Sequence, residues 1–87
     1  MPKASFAAEK AHLDEECELL RSFTLGRKGF SQRDGILAIE QVNARCDRLK
    51  ELFSTGAYAK QMATIVASAR ARIAAAEARL ALLGKKK

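Results

Sequence analysis

Residues 57–83 run through Tyr58, Met62, Ile65, Ala69, Ile73, Ala76, Leu80 and Leu83, apolar positions spaced three or four apart on one side of a helix. At about 1.5 Å per residue such a helix is roughly 40 Å long. A rotation of about 100° per residue lines its opposite side with Ala67, Ala71, Ala74, Ala78 and Ala81. A rod with an apolar edge and an alanine edge points to helix-on-helix packing, and the rest of an 87-residue chain is too small to cover it whole. Alanine on a solvent face follows from helix propensity alone, but it also makes a seam where a second helix can approach closely. The expectation is self-association through Tyr58, Met62, Ile65, Ile73, Leu80 and Leu83, with Ala71, Ala74, Ala78 and Ala81 as a second seam. Whether this helix folds back on the others or projects from them stays open.

Two further helices precede it. The first is expected over 5–23: Ser5 is a good N-cap, and Phe6, Leu13, Cys17, Leu20 and Phe23 or Thr24 share a face. The next is expected over 31–54. Ser31 with Asp34 forms a capping-box pattern, and Ile36, Ile39, Val42, Cys46, Leu49 and Phe53 make the stripe. Its other side is charged, with Glu40, Arg45, Asp47, Arg48, Lys50 and Glu51. Gly56 supplies a left-handed turn, and Gly84 is expected to close the third helix, 57–83. Between the first two helices, Gly26-Arg27-Lys28-Gly29 is flanked by Phe23, Thr24, Leu25 and Phe30. That stretch reads either as a small β-hairpin over 22–31 or as a helix C-cap at Gly26 with a plain loop. The fold class is therefore all-α, or mainly α with one small hairpin: a single domain over 1–84 and a basic tail, 85–87.

Charge is spread unevenly within the net +6. Residues 1–20 carry −3, residues 21–55 carry +3 and residues 56–87 carry +6. An acidic front and a basic back attract each other within a subunit or between neighbours, and the basic back also suits a polyanion. No stretch has the roughly 18 apolar residues of a membrane span, and Met1-Pro2-Lys3-Ala4-Ser5 leads into no signal-type apolar region. Cys17 and Cys46 lie on the apolar stripes and read as free thiols of a reducing compartment.

Chemistry-bearing patterns are sparse. His12 stands alone on an acidic helix, two distant cysteines do not make a zinc site, and the carboxylates of the first helix form a solvated run. Gly26-Arg27-Lys28-Gly29 lacks the strand–loop–helix setting of a phosphate loop. The expectation is a protein with no enzymatic activity, no cofactor and no metal. Arg27, Lys28, Arg70, Arg72, Arg79, Lys85, Lys86 and Lys87 are candidate nucleic-acid contacts, of the sequence-indifferent, salt-sensitive kind.

Three segments carry a family resemblance: Ala8-Glu9-Lys10-Ala11-His12-Leu13, then Phe23-Thr24-Leu25-Gly26-Arg27-Lys28-Gly29-Phe30-Ser31, then Ile36-Leu37-Ala38-Ile39-Glu40-Gln41-Val42. In this order, helix, basic turn and helix, residues 5–53 resemble the lambda W-type head–tail joining adaptors of tailed bacteriophages. The glycine-flanked turn is shorter than the family's hairpin, and the alanine-rich third helix exceeds the family's tail. The resemblance implies a non-enzymatic structural subunit of the virion, one of a ring of copies beneath a portal, with basic groups near passing DNA. Two other readings remain open: a small DNA- or RNA-binding protein using the third helix and lysine tail, and a cytoplasmic helical regulator or chaperone docking on a partner helix.

Overall fold

The protein, seen here in a computed structural model that describes residues 5–85, is built of α1 (Phe6–Thr24), α2 (Gln32–Phe53) and α3 (Ala59–Lys85). No strand occurs among the described residues, so the fold is all-α. Helix starts follow the caps. Ser5 accepts the Ala8 N–H at 3.4 Å, and at α2 the capping box is complete: Ser31 Oγ accepts from the Asp34 N–H while the Asp34 carboxylate accepts from the Ser31 N–H at 2.9 Å.

Residues 22–31 resolve the choice between hairpin and loop in favour of the loop. Gly26 adopts φ +73°, its N–H bonds the Phe23 carbonyl at 3.0 Å, and the Arg27 N–H bonds the Ser22 carbonyl at 3.1 Å. This is a Schellman closure of α1. It consumes carbonyls of the last turn, and the chain reaches α2 through the loop 25–31 without any strand pairing. Gly56, at φ +93°, makes the left-handed turn after α2 as expected. Gly84 does not close α3: it remains helical, with no positive φ, and the helix continues to Lys85.

Phe6 at the start of α1 stacks on Tyr58 at 4.5 Å and meets Phe53 edge-on at 5.2 Å. At the other end, the Arg79 guanidinium lies 5.8 Å from the centre of the Phe23 ring. Hence α1 and α3 run parallel, and α2 runs against both. The third helix folds back along the other two instead of projecting: Met62, Val66, Ala69, Ile73 and Ala76 are buried against Leu13, Leu20, Val42, Cys46 and Leu49. Each large apolar side chain fully buried in this way contributes about 1.5–3 kcal/mol.

The stripe of α2 begins differently from its sequence pattern. Gly35 and Ala38 are buried, while Ile36 is 44% exposed. The Phe23 ring sits against Gly35 so closely that a Cβ there would lie 2.5 Å from it. This contact rotates the first turn of α2 and sends Ile36 outward.

Candidate functional site

Two of the three seams between helices are closed by ion pairs. On the α1–α2 seam, Glu9 is buried and takes the Arg45 guanidinium at 2.6 Å and Arg48 at 3.0 Å; Arg45 also grips Glu16 at 3.1 Å. Burial pushes the Glu9 carboxyl up, but the hydrogen bonds and charges of Arg45 and Arg48 outweigh it, so Glu9 titrates below the usual carboxylate range. The hydrogen bonds that Arg45 donates to Glu16, and then to Glu9, raise its own pKa further. On the α2–α3 seam, Arg70 reaches the carboxylate of Asp47 at 3.3 Å and the side-chain carbonyl of Asn43 at 3.2 Å.

No ion pair or hydrogen bond joins α1 to α3 among the described residues. Between these two parallel helices runs a furrow of about 440 Å³, floored by Leu13, Cys17, Ile65 and Ala69 and rimmed by Lys10, Asp14, Glu18, Arg21, Ser68 and Arg72. It continues at one end past Thr64 and Ile65 to Lys60. At the other end a smaller hollow of about 130 Å³, between Thr24, Leu25 and Ala75, shares Arg21 and Arg72 with it. From Lys60 to Ala75 the furrow measures about 22 Å along α3.

Its acids are already compensated: Asp14 holds Lys10 at 3.2 Å, and Glu18 faces Arg27 at 3.6 Å. Arg21, Arg72 and Lys60 have no carboxylate within ion-pair distance among the described residues. A furrow between two parallel helices, with half-buried Cys17 and Ile65 on its floor and uncompensated cations at both ends, suits a third, antiparallel helix bearing acids. It offers no enclosed cavity for a small molecule.

Of the described residues expected to contact nucleic acid, Arg79 lies against Gly26 beside Arg27 and Lys28, while Arg70 and Arg72 make their contacts elsewhere. Arg27 bends back onto Ser22 at 3.1 Å and Glu18. Arg70 is held by α2, and Arg79 lies over Phe23 with its Nε buried and unpaired. Lys28 stands in the α1–α2 loop and Arg72 on the furrow rim. The Lys85 side chain, Lys86 and Lys87 lie outside the described residues.

The expected packing face of α3 is largely used inside the subunit. Met62 and Ile73 are buried, and Ile65, Leu80 and Leu83 are half-buried against the core. Tyr58 keeps one side exposed while its ring stacks on Phe6. Ala71, Ala74, Ala78 and Ala81 face solvent on the back of α3.

Cys46 is buried and Cys17 half-buried on the furrow floor, both as free thiols. Burial pushes both thiols up, so they are protonated and poor nucleophiles at neutral pH. His12 lies 3.7 Å from Glu15 at the surface. Among the described residues no group of three His, Cys, Asp or Glu is placed to hold a metal ion, and no helix is long and apolar enough to cross a membrane. Comparison with family models, curated proteins and solved structures finds no match.

The sequence pattern missed the Glu9–Arg45 lock and the role of Arg21. A signal for the lock was present. Phe6, Glu9, Leu13, Glu16, Leu20 and Phe23 alternate three and four apart, so the two acids stand on the apolar face itself. No comparable signal marks Arg21, because its place on the furrow depends on where α3 lies.

Proposed function

We propose that this chain is a non-enzymatic assembly protein that works by laying helices side by side with other protein subunits. The observation that carries the reading is the unclosed α1–α3 furrow. A three-helix bundle that locks two seams with ion pairs and leaves the third as an open furrow with unpaired cations on its rim has a surface shaped for one more helix. The exposed alanine back of α3 adds a second smooth side. In its most specific form, which comes from the family resemblance, the protein is a connector subunit that sits in a ring beneath a phage portal. The helix–basic turn–helix order supports that form; the loop at 25–31, in place of a hairpin, does not.

The nucleic-acid reading has less support. Among the described residues Arg27 is held by Ser22 and Glu18, Arg70 by α2, and Arg79 packs on Phe23 beside Gly26, so these cations are engaged within the subunit and less available to a phosphate backbone. Gel filtration with light scattering, run with and without duplex DNA, separates the two. An assembly of several copies whose mass does not change with DNA is the expected result. A monomer that binds DNA with micromolar, salt-sensitive affinity would overturn the assembly reading.

A further inference from the structure

We infer that the α1–α3 furrow receives the outer face of α2 from a second copy of this chain, so that copies associate head to back in one direction. The inference rests on the assembly reading above and names its contact. It is carried by charges that match in register.

On the solvent side of α2, Leu37, Glu40, Ala44 and Glu51 form one stripe, spaced three, four and seven apart. All four are exposed, Leu37 by 48%. Glu40 and Glu51 have no cationic partner within ion-pair distance among the described residues. They stand eleven residues apart, about 16 Å along the helix. Across the furrow, Arg72 and Lys60 are twelve residues apart on α3, about 18 Å.

An incoming α2 runs antiparallel to α1 and α3, as the subunit's own α2 does. Placing its Glu40 at Arg21 and Arg72 then brings Glu51 to Lys60. In that register Leu37, three residues ahead of Glu40, meets the hollow of Thr24, Leu25 and Ala75. Ala44, four residues behind, lies over the Ala69 and Cys17 floor, where only a small side chain leaves room for close approach. Arg33 falls beyond the end of the furrow. Arg48 stands on the same stripe between Ala44 and Glu51, but it is held by Glu9 of its own subunit, as Asp47 is by Arg70.

Because the two surfaces differ, the contact is heterologous. It closes a ring or continues as a filament, and it does not stop at a two-fold dimer. Copies of net charge +6 repel one another at long range, so salt dependence alone reports poorly on the contact, and paired charge reversal is the better probe.

The test is sedimentation velocity of the full chain from low micromolar to submillimolar concentration, with three variants: Glu40→Arg, Arg72→Glu and Leu37→Asp. All three positions are exposed, and circular dichroism with urea unfolding checks that each variant is folded. The wild type is expected to form species larger than a dimer. Each variant alone is expected to associate at least about tenfold more weakly. An equimolar mixture of Glu40→Arg and Arg72→Glu should regain association, since each supplies the surface the other lacks and the swapped charges also match. A wild type that is monomeric throughout overturns the contact. So does an assembly indifferent to all three variants, or a mixture that stays dissociated; those two results leave the assembly reading standing. A monomer that is instead recruited by DNA removes that reading as well.

Discussion

Glu9 occupies a position where the spacing of Phe6, Leu13 and Leu20 asks for an apolar side chain, and it is only 7% exposed. A buried carboxylate persists there because Arg45 and Arg48 enclose it, and removing one partner leaves the others desolvated without compensation. Glu9→Gln is expected to cost about 2 kcal/mol, the value of hydrogen bonds to a charged group, read as a lower urea midpoint with an unchanged slope. The pH dependence has a fixed sign. The folded-state pKa of Glu9 lies below its unfolded value, so its contribution is fully present above the ordinary carboxylate range and is lost as pH falls through the folded pKa. Glu9→Gln should therefore flatten the acid limb of the stability curve. If the variant keeps the wild-type acid slope, the lock is not what titrates.

Helix geometry sets the terms at the next scale, where one substitution has opposite effects at two glycines. Gly35→Ala raises helix propensity by about 1 kcal/mol. The added Cβ would nevertheless meet the Phe23 ring at 2.5 Å, and that ring is fixed in the core. Overpacking wins, and a net loss of about 2 kcal/mol is expected. Gly84→Ala meets nothing within 4 Å and sits in helical backbone, so it should stabilise α3 by up to about 0.5 kcal/mol. Thermal unfolding of the two variants side by side checks both signs. The helix starts were legible in the residues, since Ser5, Ser31 and Asp34 act locally through their own backbone. The register of α2 was not. Ile36 fits the apolar spacing as well as Ala38 does, and only the Phe23–Gly35 contact decides which of them faces inward.

For the whole molecule, stability depends on all three helices at once. Leu13, Leu20, Val42, Cys46 and Leu49 are buried only because α3 covers the α1–α2 pair with Met62, Val66, Ile73 and Ala76. A chain truncated after Tyr58 exposes that surface, and is expected to lose cooperative urea unfolding while the full chain shows a single transition. A sharp transition in the truncated chain would show that α1 and α2 fold as an independent hairpin and that α3 is an accessory.

By itself the sequence determined three helices, the N-terminal caps of the first two, most of their apolar positions and the alanine side of the third. These follow from dihedral preferences and periodicities that act within a few residues. Only the tertiary structure decided that α3 lies parallel to α1, that Arg27, Arg70 and Arg79 are drawn into separate internal contacts, and that Arg21, Arg72 and Lys60 share an open furrow. Those facts depend on how rods of known polarity rotate and slide against one another. Local spacing leaves that free until closely packed side chains such as Phe23 against Gly35, and Glu9 against Arg45, fix it.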